Sequence, residues 1–127
     1  MLKTTAAVAI TAIVTVSGQS EARPLTDIEK RIIMSTYGAS LKDPASAQYR
    51  WAPLVTDQPV KGNELAYCFQ INGRNSFGGY TGFRTIAGKV TRRNGVVVGY
   101  GYVAGSRDDA IIADATNEIC RAFGYTF

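Results

Sequence analysis

The residues able to do chemistry in this chain are few, and their types restrict it sharply. There is no histidine in the 127 residues, so Ser-His-Asp and Cys-His arrangements and the usual general base near neutral pH are excluded. Two cysteines, Cys68 and Cys120, make a poor metal-ligand set without histidine. No metal and no cofactor is expected. A carboxylate pair of the kind used in glycoside hydrolysis would be drawn from Asp27, Glu29, Asp43, Asp57, Glu64, Asp108, Asp109, Asp114 and Glu118. Most of these stand at helix starts or in loops, where capping explains them. The expected character is non-catalytic.

The most unusual run is Asn75-Ser76-Phe77-Gly78-Gly79-Tyr80-Thr81-Gly82-Phe83. It is no phosphate-binding loop, because no Gly-Lys-Ser/Thr follows and Tyr80 opens a strand pattern, not a helix. Closely alternating glycines and aromatics suit a binding rim, with Asn75, Phe77, Tyr80 and Phe83 as the candidate binding residues. The competing reading is a structural turn whose aromatics tuck back onto the sheet, and residue types alone favour it slightly.

These groups need a compartment and a scaffold. Lys3 precedes an uncharged run over residues 4–16 rich in Ala, Val and Ile, and small residues Ser20 and Ala22 follow. That order matches a secretory signal peptide over residues 1–22, cut between Ala22 and Arg23. The apolar run is shorter than the roughly 20 residues that cross a bilayer, and no cysteine stands near the cut to take a lipid. The expected product is one domain, residues 23–127, periplasmic or secreted and without a membrane anchor. In such a compartment Cys68 and Cys120 are expected to pair. Closing a loop of about 50 residues is worth roughly 4 kcal/mol in the chain-entropy description. The net charge of +4 comes without a dense basic run, so nucleic acid is not an expected partner. An envelope protein or a cell-wall component suits mild basicity better.

The scaffold reads as α-β-β-β-β-α, an α+β domain whose four-stranded antiparallel sheet is flanked by an N-terminal and a C-terminal helix. Thr26 and Glu29 form a capping box for a helix over 25–41, with Ile28, Ile32, Ile33 and Leu41 as its apolar positions. Asp43-Pro44 then begins a further short turn. Strands are predicted over 49–55, 64–72, 80–92 and 96–104, with Asn94-Gly95 as a hairpin turn. In the second of these, Leu65, Tyr67, Phe69 and Ile71 share a face. A last helix over 107–123, capped by Ser106 and stopped by Gly124, carries Ile112, Ala115, Ile119, Ala122 and Phe123 at helical spacing. Gly99 and Gly101 are expected to give that helix room to approach the sheet.

Residues 40–49, Ser-Leu-Lys-Asp-Pro-Ala-Ser-Ala-Gln-Tyr, and Cys68 followed by the 75–83 run resemble a family of small exported and lipoprotein domains of Gram-negative bacteria. That family carries an LKDP-S-A-F segment ahead of a C…NSFGGYTG segment. The resemblance covers the middle third of the chain and implies export and a shared fold, without an activity. The chain departs from the pattern over 69–74 and in lacking a lipid-attachment cysteine. The expectation is an exported binding or interaction domain; the alternative is a proteinaceous inhibitor of an envelope-directed hydrolase.

Overall fold

A computed structural model describes residues 21–59, 62–106 and 108–127. The expected leader lies outside the described residues except for its last two positions. The elements are β1 (Ala22–Arg23), α1 (Asp27–Tyr37), two short 3-10 turns (Gly38–Ser40 and Pro44–Ser46), β2 (Gln48–Trp51), β3 (Leu54–Val55), β4 (Glu64–Asn72), β5 (Arg84–Arg93), β6 (Val96–Ala104) and α2 (Ala110–Ala122). The α+β class holds. The main sheet is antiparallel in the order β2-β4-β5-β6, and β1 pairs with β3 in a separate two-stranded sheet.

The single strand expected over 49–55 is therefore two strands in two sheets. Pro53 cannot donate to a ladder, so the run breaks at Ala52-Pro53 and Leu54 pairs instead with Arg23. The strand expected from Tyr80 begins only at Arg84, because Gly78 and Gly82 adopt φ +80° and +95°; a left-handed backbone cannot continue a pleat. The helix expected to reach residue 41 tightens into a 3-10 turn after Tyr37. The last helix starts at Ala110 and not near 107. Asp109 is its cap, accepting from the Ile111 and Ile112 amides at 3.0 and 3.1 Å, while Ser106 Oγ accepts from the Asp109 amide one turn earlier. The turn at Pro44 forms, but Asp43 makes no side-chain cap.

The two faces of the main sheet are filled differently. Leu65, Tyr67, Phe69 and Ile71 share one face as their alternation requires, and they meet Ile86, Val90 and Val97 in the buried core. Helix α1 closes this face with Ile33 and Tyr37, and the Tyr37 ring meets Phe69 edge-on at 5.5 Å. Tyr49 and Trp51, two residues apart on β2, stack at 4.8 Å over the same Phe69. Gly88 on β5 is required here: a Cβ would overlap the Tyr100 ring lying across it. Ile28, expected inside, is 65 % exposed.

The start of α1 is tied down by charge. The capping box forms, with Thr26 Oγ1 accepting from the Glu29 amide and Glu29 Oε1 accepting from the Thr26 amide. The Glu29 carboxylate, fully buried, also receives both Arg23 Nη groups at 2.7 Å and the Val97 amide at 2.8 Å. Arg23 reaches on to the Gly95 carbonyl at 3.0 Å. Four donors on one carboxylate hold its pKa down at about 2, the Arg23 guanidinium being the largest cause.

The other face carries Ala66, Cys68, Gln70 and Ala87, and α2 lies against it. Cys68 and Cys120 are joined by a disulfide, with Cα atoms 6.0 Å apart, and no free cysteine remains among the described residues. Along α2 only Thr116 and Cys120 are buried. The chain beyond Gly124 is anchored by Tyr125, whose hydroxyl donates to the Ala66 carbonyl at 2.6 Å and accepts from the Val55 amide at 3.2 Å. Burial pushes that phenol up to about 12. Gly99 and Gly101 do not make room for α2. A Cβ on Gly101 would meet open space and one on Gly99 would touch Thr91; α2 approaches β4 and β5 through small residues of its own.

Candidate functional site

Two surfaces stand out from this scaffold. The first is the loop that the sequence singled out. β4 ends at Asn72, whose Oδ1 accepts from the Gly82 amide at 2.9 Å, and the Gly73 carbonyl accepts from the Thr81 amide. Inside that clasp, Arg74 and Tyr80 form a bridge. Asn75 then builds the tip: its amide donates to the Gly79 carbonyl at 2.8 Å, and its Oδ1 accepts from the amides of Phe77 and Gly79 at 2.9 and 3.1 Å. Asn75 is thus committed to the loop's own backbone.

The aromatics of the run divide. Phe77 stands at the tip, 96 % exposed. Tyr80 is anchored, its hydroxyl donating to the Ser46 carbonyl at 2.8 Å, and the Arg74 guanidinium lies 5.0 Å from its ring centroid. Phe83 is covered by the Arg50 guanidinium at 3.6 Å. Lys42 Nζ donates to Ser76 Oγ at 2.6 Å. The four candidate residues are brought to one end of the sheet, but with different parts: one frame, one exposed tip, two rings beneath cations. The cations were not legible as a group, because 42, 50 and 74 are far apart in sequence and only the pairing of β2 with β4 gathers them.

The second surface went unseen in the sequence. Ile112, Ala115, Ile119 and Ala122 were expected to face the sheet. The helix instead faces the sheet with Thr116 and Cys120, beside a half-buried Ala113. Ile111, Ile112 and Ile119 are left 82, 44 and 41 % exposed, and Ala115 and Ala122 are exposed with them. This stripe borders an apolar groove of about 330 Å³, lined by Ala66, Ala87, Val103, Ile119 and Phe123 among others. Val103 is itself 52 % exposed. On the opposite flank of α2 a more polar cleft of about 610 Å³ is lined by Gln70, Phe83, Thr85, Asp114, Asn117 and Arg121.

The acids do not assemble a metal centre: among the described residues there is no group of three or more Cys, Asp or Glu able to hold an ion. Glu29 is spent on Arg23, Glu64 lies 3.9 Å from Lys89, and Asp109 caps α2. A carboxyl acting as a general acid needs its pKa raised, and that of Glu29 is driven the other way. Ala22 and Arg23, the expected cleavage pair, sit side by side in β1 opposite Val55 and Leu54. No described helix is long and apolar enough to cross a membrane. Compared with protein-family models, curated proteins and solved structures, the chain matches none.

Proposed function

We propose that this chain is an exported, non-catalytic interaction domain, periplasmic or secreted, that docks a protein partner on the apolar stripe of α2. The observation that carries the reading is the exposure of Ile111, Ile112 and Ile119 on one side of a helix that is covalently held to the sheet. Three isoleucines, two alanines and a neighbouring valine in water form the kind of contiguous apolar patch that marks an interaction site. Covering the largely exposed Ile111 adds about 1.5–3 kcal/mol of burial, and covering the half-exposed Ile112 and Ile119 about half that each. A helix fixed in place loses little freedom on binding, which preserves that gain. Export is supported by the residue order of 1–22 and by the paired cysteines.

The test is site-specific photocrosslinking in cells. A p-benzoylphenylalanine at position 112 or 119 is expected to give a discrete protein adduct, and one at Asn117, on the opposite, polar flank of the same helix, none. Equal labelling at all three positions, or none at any, removes the reading.

The reading as an inhibitor of an envelope-directed hydrolase draws on a different observation, the projection of Phe77 from a loop whose tip is pinned by Asn75. A rigid projecting side chain is suited to entering a cleft. A panel of envelope hydrolases assayed with the protein in excess decides it, since no loss of any activity dismisses it.

A further inference from the structure

The loop over residues 73–83 carries a chemistry that the stripe on α2 does not. Among the described residues the ion pairs are Arg23–Glu29 and Lys89–Glu64. Lys42, Arg50 and Arg74 are in neither. All three instead touch this loop or its base: Lys42 at Ser76, Arg74 over Tyr80, Arg50 over Phe83. A guanidinium held near an aromatic face keeps N–H groups along its edge for a planar acceptor. Arg50 gives up only one of them, to Gln70 Oε1 at a long 3.5 Å.

From this we propose that the 73–83 loop is a convex docking knob for an acidic pocket on a folded protein: Phe77 enters an apolar hollow while Arg50, Arg74 and Lys42 meet carboxylates on its rim. The composition is that of an interface centre, aromatic residues and arginine without acids. The shape selects the partner. Phe77 protrudes, so its complement is concave. A flexible anionic glycan offers the charge but no preformed hollow. A bilayer offers apolar volume, but one phenylalanine brings at most about 3 kcal/mol of transfer, which is marginal for stable anchoring. Preorganisation lowers the cost of binding, because Asn75 holds the tip and the two arginines are already stacked.

The proposal is independent of the reading for α2, and its test is read at different positions. The full-length exported protein carries p-benzoylphenylalanine at position 77, with a control at Ile28, which is also exposed but lies on α1. The expected result is a protein adduct at 77 and none at 28, mapping to an Asp/Glu-rich segment of the captured protein. Its yield should fall about tenfold or more in Arg50→Gln/Arg74→Gln, and fall likewise as salt shortens the Debye length from roughly 10 to 3 Å. The melting temperature of the charge variant reports that the fold is retained, and Arg74→Gln alone serves if the pair proves unstable. In parallel, purified protein is titrated with heparin and with phosphatidylglycerol vesicles. Tighter binding to either than to the isolated captured protein transfers the loop to a glycan or membrane role and overturns the proposal. So does an adduct insensitive to both charge and salt, or no adduct at 77. Adducts at 112 and 119 stand or fall separately.

Discussion

The two helices of this domain lie on opposite faces of one sheet and are attached by opposite means. α1 is held by packing and by charge. Ile33, Tyr37 and Glu29 are all buried, and the Glu29 carboxylate collects four donors from Arg23, Thr26 and Val97. α2 is longer, yet only Thr116 and Cys120 are buried along it, and one of those is the bridge. A helix docked by its apolar side must hide that side. A helix docked by a covalent bond and small residues is free to keep part of its apolar side outward. That difference leaves the stripe of Ile111, Ile112 and Ile119 in solvent on a helix bridged to the sheet.

The comparison can be broken most severely at α1. Glu29→Ala leaves the buried Val97 amide unpaired and strips Arg23, itself a third exposed and still on the Gly95 carbonyl, of its carboxylate, and is expected to cost about 2–4 kcal/mol. Denaturant titration should show the loss in the midpoint with little change in slope. The same carboxylate sets a pH dependence. Its folded pKa of about 2 lies below the ordinary glutamate value of 4.5, so its contribution is full above pH 4.5 and drains away as the pH falls from there through about 2. Glu29→Gln should flatten that part of the stability profile.

Removing the bridge with Cys68→Ala/Cys120→Ala is expected to cost about 2–4 kcal/mol, with the loss concentrated in α2. Gly88→Ala strikes the α1 face instead. Its methyl meets the Tyr100 ring, and overpacking of this kind costs about 1–3 kcal/mol, read as a lower melting temperature. The smallest effect is the most telling. Ile112→Ser or Ile119→Ser, both half-exposed, should each cost no more than about 1 kcal/mol, although the spacing of the two residues marks them as core. Their effect should appear as lost crosslinking at the stripe.

The residues explain which parts of this were readable. β4 and β6 were legible to the residue, because period-2 alternation and Asn94-Gly95 are local signals. The capping box at Thr26 and Glu29 and the stop at Gly124 were legible for the same reason. The pairing of the cysteines was legible from their number and from the compartment the sequence led one to expect. What could not be read was rotational or long-range. Helical spacing says that Ile112 and Ile119 share a side of α2, but not that this side faces outward while Cys120 faces the sheet. Nothing local says that Glu29, already explained as a cap, also accepts from Val97 across 68 positions. In the 75–83 run the residue types could not say which ring goes where: Phe77 faces water, Tyr80 lies under Arg74 of the same loop, and Phe83 lies under Arg50 from β2.

Amide hydrogen exchange, compared between the wild type and Cys68→Ala/Cys120→Ala, tests most directly whether the bridge and not packing docks α2. The expected result is that amides over residues 113–122 lose most of their protection in the variant while those over 31–37 of α1 and the centre of β4 keep theirs. Protection of α2 that survives loss of the bridge, or that disappears together with that of α1, would contradict it and return the exposed isoleucines to an ordinary, packing-held helix.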